Sequence, residues 1–218
     1  MTSTINATTR IFQRRTLCGA LADSLRERLF AHEFPFRAPL DETALTAHYG
    51  VGHLPVTEAL QQLFFERLLV KREQGGYGIP EYLRADIENL LETLEGIRRL
   101  ALRQHEETAR DARQATAVDM PAPSRPCWGL SGLTVRRPFA VAAQNLYDQL
   151  RLGIGPALVE IEARCAERHG EAMARAIAER KSGEIEKVSQ ESARTFRQAA
   201  LRAFGDRQDA PPRLVRLQ

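Results

Sequence analysis

Residues 40–63 read Leu40-Asp41-Glu42-Thr43-Ala44-Leu45-Thr46-Ala47-His48-Tyr49-Gly50-Val51-Gly52-His53-Leu54-Pro55-Val56-Thr57-Glu58-Ala59-Leu60-Gln61-Gln62-Leu63, and this stretch decides the fold. Glu42 to Tyr49 predicts a short helix with Ala44, Leu45 and His48 on one side. Gly50 is placed to end it, because glycine takes the left-handed backbone that a helix C-terminus often needs. Val51-Gly52-His53 predicts a tight turn. A further helix is expected from about Leu54 to Leu68. Its Pro55 falls in the first turn, where a missing N–H costs little. Val56, Ala59, Leu60, Leu63 and Phe64 form its apolar stripe.

Working outward, the N-terminal side supplies another helix. Leu17, Leu21, Leu25 and Leu29 recur every fourth residue, with Arg26, Glu27 and Arg28 between them. That spacing places one apolar stripe on an amphipathic helix. Pro35 and Pro39 break the chain after it. On the C-terminal side, Leu69 to Glu73 and Tyr77 to Pro80 are two short extended runs around Gln74-Gly75-Gly76, the pattern of a β-hairpin. The order helix, helix, tight turn, helix, hairpin over residues 17–82 is the layout of a winged helix-turn-helix.

The remainder predicts an all-helical half over residues 83–204. Residues 83–115 form one long pattern with Ile87, Leu90, Leu91, Leu94, Ile97, Leu100 and Ala101 inward. Residues 116–138 lose periodicity, contain Pro121, Pro123, Pro126 and Pro138, and read as a long loop. Helical patterns resume at about Phe139–Leu152, Pro156–His169, Glu171–Arg180 and Gly183–Phe204. Residues 1–16 read as a flexible basic tail and 205–218 as a disordered one. The fold class is therefore mainly α: an N-terminal winged helix-turn-helix followed by a C-terminal all-helical domain.

Composition agrees with a globular protein. The chain has 218 residues, 43% hydrophobic and 27% charged, with a net charge of +3. This excludes disordered and fibrous classes. No apolar run is long enough for a membrane span. Met1 to Arg15 has no apolar signal core, so a cytoplasmic location is expected. Cys18, Cys127 and Cys165 show neither disulfide nor zinc spacing; Cys18 and Cys165 lie in helical patterns and are expected as buried thiols.

The 40–63 stretch resembles the DNA-binding region of GntR-family transcription regulators. That family's pattern runs L-x-E-x-x-L-A-x-x-x-G-V-S-R-x-P-V-R-E-A-L-x-x-L, followed by x-x-E-G-L-V and a glycine-bearing wing. Leu40, Glu42, Leu45, Gly50, Val51, Pro55, Val56, Glu58, Ala59, Leu60, Leu63, Glu66 and Leu68 match it. The helical half looks like the ligand-sensing domain of the FadR-type branch, on Asp86-Ile87, Phe139 and Ala176-Ile177 before a Gly183-Glu184 turn. The resemblance implies a ligand-responsive repressor that binds a double-stranded DNA operator as a homodimer, with a small-molecule effector.

The departures bear on the same site. Where the family has a capping Ser and two DNA-contacting Arg, this chain has Gly52, His53 and Thr57. Arg presents a bidentate fork to guanine; His and Thr do not. Residues 17–82 carry six Lys plus Arg against nine Asp plus Glu, a balance of six minus nine, or −3. The sequence pI of about 9.0 thus reflects charge outside this stretch, although DNA affinity rests largely on phosphate neutralisation.

The expected DNA-binding set is Thr43, His53, Leu54 and Thr57 on the two helices, Lys71, Arg72, Gln74 and Tyr77 on the wing, and Arg14 and Arg15 in the tail. Thr57 is expected to be exposed on the reading face. The alternative is a divergent regulator that has lost autonomous DNA binding and acts as a protein-interaction module.

No catalytic constellation or Gly-rich phosphate loop occurs, so neither enzyme activity nor a cofactor is expected. Related sensing domains often bind metal through an Asp and three His. Here the corresponding Phe-His pair is Phe139-Ala140, and His169 alone cannot form such a site. No metal is expected. The Arg residues from Arg164 to Arg202 alternate with Glu and read as a solvated face.

Overall fold

Leucines spaced four apart do form the first helix. In the computed structural model, which describes residues 17–36, 39–110 and 137–208, α1 spans 17–30. Leu21, Leu25 and Leu29 are buried, whereas Leu17, at the head of the stripe, is 41% exposed. Expectations about the tail at 1–16, most of the 116–138 loop, Cys127 and residues 209–218 lie outside the described residues.

Two helices and a small hairpin follow: α2 (Glu42–Tyr49), α3 (His53–Phe65), β1 (Val70–Lys71) and β2 (Tyr77–Gly78). On α2 only Leu45 faces the core; Ala44 and His48, expected beside it, are exposed. A short helix held by one buried leucine has no width for a full stripe. On α3 Val56, Ala59, Leu60 and Leu63 are buried. α3 begins one residue earlier than the periodicity suggests, taking His53 from the turn, and ends at Phe65.

Four helices in the described residues close in the same way. A left-handed residue follows each: His32, Gly50, Arg67 and Arg180, with φ of 56°, 62°, 62° and 51°. The next amide then bonds back to the last turn: Glu33 to Arg28, Val51 to Thr46, Leu68 to Leu63 and Lys181 to Ala176, at 3.1, 3.3, 2.9 and 3.0 Å. This is the Schellman closure, in which glycine is the usual left-handed residue. Only Gly50 advertises it in the sequence. Arg67 explains why α3 stops short of Leu68.

The contacts divide the chain into two units after Glu81. The second unit contains α4 (Arg84–Arg110), α5 (Arg137–Ile154), α6 (Ala157–Ala178) and α7 (Ser182–Gln208). Leu83 N–H donates to the Asp86 carboxylate at 2.8 Å, starting α4. Several boundaries move from the sequence expectation. Arg137 and Pro138 belong to α5, where Pro138 falls in the first turn and costs no hydrogen bond. α6 runs unbroken through Gly170, which costs about 1 kcal/mol relative to alanine but does not end a helix whose buried face continues to Ala176. Gly183 lies inside α7 rather than in the turn, and α7 runs on past Phe204.

The core of this unit joins Ile87, Leu91, Leu94 and Ala101 of α4 to Tyr147, Leu150, Leu158, Ile161, Phe196 and Phe204. α4 packs on α5 and α7, and α6 on α7. A Cβ on Gly153 would lie 2.5 Å from Ile87 Cδ1, so this glycine permits the close α4–α5 approach. Leu100, expected inward, is 48% exposed, while Arg98 is 2% exposed. Arg98 lies four residues beyond Leu94 and three before Ala101, on the seam itself. Its Nη1 donates to Ser189 of α7, and burial lowers its pKa to about 10. The architecture is mainly α, a winged helix-turn-helix followed by a helical domain.

Candidate nucleic-acid interface

The start of α3 is held by local chemistry on both sides. Asp41 caps α2, its Oδ1 accepting from the amides of Thr43 and Ala44 at 2.9 and 3.1 Å. Gly50 then turns the chain, and Gly52 takes the N-cap of α3 with extended backbone and no side-chain hydrogen bond. A side-chain acceptor is what glycine lacks there. The result projects His53 and Leu54 outward; Leu54 is 52% exposed, and the His53 side chain is 66% exposed. Thr43 is exposed on α2.

Thr57 differs from its expectation. It is half-buried, and its hydroxyl donates to Glu42 Oε2 at 2.9 Å. His53 Nδ1 lies 3.1 Å from the same hydroxyl, and His53 Nε2 lies 3.7 Å from Glu42 Oε2. Glu42, His53 and Thr57 therefore form one cluster joining the starts of α2 and α3. The sequence reading treated Glu42 as a fold-matching position only. No sequence period marks it: residues 42 and 57 meet only through the packing of α2 on α3.

The wing pairs Val70 with Gly78 and Lys71 with Tyr77 in antiparallel register. Its tip turns through Gly75 and Gly76 at φ 88° and 74°. Pro39 bridges to Gly78 on the other side, and Leu40 N–H donates to Tyr77 O at 2.9 Å. Lys71 and Gln74 are exposed and Arg72 is half-buried. The Lys71 ammonium sits 5.6 Å from the Phe64 ring centroid. Tyr77, expected in the DNA-binding set, is buried: it is 9% exposed, and its ring packs 5.9 Å from Phe64. In a two-residue strand whose neighbour Gly78 has no side chain, the aromatic ring fills the core beneath the wing instead of facing a ligand. Arg14 and Arg15 lie outside the described residues.

Two other cations among the described residues of this unit, Arg26 and Arg28, are engaged in the scaffold. Arg26 pairs with Glu66 and Asp23. Burial works to lower its pKa, but the bonds to and charge of those carboxylates leave it raised. Arg28 pairs with Glu33 at 2.7 Å and lies 4.7 Å over the Phe34 ring. Its pKa is also raised, the burial penalty being outweighed by bonds to Tyr49 and Glu33. α3 itself contains no Lys or Arg.

Cys18 Sγ donates to Glu58 at 2.9 Å, and Cys165 is buried, which raises its thiol pKa; both thiols are interior, as expected. No group of three or more potential metal ligands occurs among the described residues. No helix there is long and apolar enough to cross a membrane.

Comparison with known proteins agrees with this architecture. No curated protein matches the chain. Among solved structures, the chain is similar to E. coli McbR/YncC, with a TM-score of 0.50 and 15% identity, over 88% of this chain and 99% of that one. It is also similar to Lar, described as controlling the expression of the Listeria monocytogenes agr system and mediating virulence; the TM-score is 0.47 and the identity 14%, over 85% of this chain and 96% of that one. At the level of sequence, residues 17–79 match the family described as bacterial regulatory proteins, gntR family. The winged helix-turn-helix unit of this chain is thus a gntR-family domain.

Proposed function

We propose that the chain is a transcription regulator that binds an operator in double-stranded DNA as a homodimer. The gntR-family match over residues 17–79 carries this reading. The exposed start of α3 at His53 and Leu54 supports it as the surface that enters the major groove. Thr43 and Thr57 flank that surface, Lys71, Arg72 and Gln74 extend it along the wing, and Arg14 and Arg15 add phosphate contacts from the tail. The helical half, residues 83–204, is assigned dimerisation and effector sensing in the manner of the FadR-type branch. Leu100, Val141 and Val159 are 48%, 50% and 46% exposed there, which supports a second copy as the partner. An effector acts by changing the spacing of two reading heads that must meet half-sites at a fixed helical phase. Repression of a cytoplasmic target promoter is the mode proposed.

A second reading is favoured by one observation: α3 has no Lys or Arg. A helix without cations gains little there from phosphate neutralisation. In that reading the chain forms dimers with a related regulator and leaves DNA contact to its partner. Mobility shift and genomic footprinting with the purified full chain separate the two. A discrete protected site supports the first. Absence of any retarded complex at low salt, with a defined heterodimer in solution, supports the second.

A further inference from the structure

The surface at the start of α3 presents acceptors where a guanine reader presents donors. The Thr57 hydroxyl has one proton, and donating it to Glu42 Oε2 leaves its oxygen to accept from His53 Nδ1, 3.1 Å away, which makes Nε2 the acceptor of a neutral His53 ring. An ionised carboxylate is acceptor-only. The Glu42 side chain remains 22% exposed, so its remaining acceptor capacity reaches the surface. Leu54, next to His53 in the chain, is apolar and exposed. Guanine shows only acceptors, N7 and O6, on its major-groove edge, whereas cytosine N4 and adenine N6 are donating amino groups.

We infer that Glu42 is a specificity-determining residue: with Thr57 and His53 it selects base pairs that place an exocyclic amino group, cytosine N4 or adenine N6, against the start of α3, and rejects guanine there. The inference rests on the reading of this unit as DNA-binding. Two effects act together. The amino group completes the carboxylate's hydrogen bonds, and a guanine at that position sets O6 against a negative oxygen with no proton between them. Such repulsion contributes to discrimination as much as attraction does. The same charge repels phosphates, so it trades general affinity for selectivity. Glu42 also keeps Thr57 and His53 in one arrangement, so removing it loosens the whole reading surface.

The test is selection from a random duplex library at low salt, with the full-length wild type, Glu42→Gln and Glu42→Ala. Wild-type sites should carry adenine or cytosine at one major-groove position per half-site, and guanine there should weaken binding on the order of tenfold. In Glu42→Ala that penalty should fall below about threefold. Glu42→Gln, which retains an acceptor and adds a donor, should shift the preference towards adenine. Thermal melting checks that the variants fold, and Glu42→Gln serves for the comparison if Glu42→Ala does not. A guanine preference in the wild type, or an unchanged penalty in the variants, overturns the inference and leaves the DNA-binding reading standing. Failure of the wild type to retain any duplex overturns both.

Discussion

The Arg26 guanidinium grips the Glu66 carboxylate through three contacts, Nε to Oε2 at 3.1 Å and Nη2 to Oε1 and Oε2 at 2.9 and 2.7 Å. This fork ties the middle of α1 to the C-cap of α3, so α3 is braced at the end opposite His53. The Arg26 side chain is 13% exposed and that of Glu66 29%. Screening is therefore incomplete, and the pair exceeds an ordinary surface ion pair. Replacing Glu66 by Gln should cost about 1–3 kcal/mol, as loss of hydrogen bonds to a charged group does. Urea unfolding of the full chain, following the N-terminal unit, measures it; a change within a few tenths of a kcal/mol would show that the fork is dispensable.

Arg67 and Arg180 occupy left-handed backbone without a glycine's freedom. Both side chains are exposed, so glycine removes little packing. A left-handed residue bearing a Cβ costs roughly 1–2 kcal/mol, partly offset by glycine's larger unfolded-state entropy. Arg67→Gly and Arg180→Gly should each raise stability by about 0.5–1 kcal/mol. A lower melting temperature in both variants would mean that their side chains do more than the closures require.

Glu162 of α6 titrates above the usual carboxylate range: burial raises its pKa, only partly countered by the Tyr147 hydroxyl and the charge of Arg151. A raised carboxyl pKa means that the folded state holds the proton more tightly than the unfolded chain. Its stabilising contribution is therefore present below the ordinary Glu range and is lost as pH rises through the folded value. Glu162→Gln, which still accepts from Tyr147, should raise the melting temperature at pH 8 and lose that advantage near pH 4. An equal effect at both pH values would contradict the assignment.

Arg98 places a guanidinium in an apolar seam. Methionine fills similar length without a charge to desolvate, and such replacements are often neutral or stabilising. Arg98→Met should match or exceed wild-type stability, whereas Arg98→Ala should lose on the order of 2–5 kcal/mol through the cavity it leaves. Denaturant unfolding of both variants decides it. A methionine variant as unstable as the alanine one would show that the charge itself is structurally required.

Thr57→Arg should add a DNA contact whose strength depends on Glu42. With Glu42 present, the new guanidinium sits beside that carboxylate and pairs with it. The gain in DNA affinity should therefore be greater in a Glu42→Ala background than in the wild type. Binding measured across the four proteins gives the coupling directly. Additive effects would indicate that an arginine at position 57 points away from Glu42.

Much of this protein was legible in the chain itself. Period-four leucines defined α1, Gly50 and Pro55 marked the helix-turn-helix junction, and the Gly75-Gly76 pair marked the wing. These signals are local: backbone preference and one-sided burial are set by neighbours a few residues away. Three features required the tertiary structure. Helix ends at His32, Arg67 and Arg180 carry no glycine, because the closing hydrogen bonds outweigh an unfavourable backbone, helped at Arg67 by the buried Leu68 beyond the turn. Arg98 was passed over because its position on the seam conflicts with its charge, and only the packing of α4 on α7 supplies Ser189 as a partner. Thr57 and Tyr77 looked like reading residues from their positions along the chain. Which way each faces was decided by Glu42, fifteen residues away, and by Phe64 under the wing, contacts between elements that no sequence period encodes.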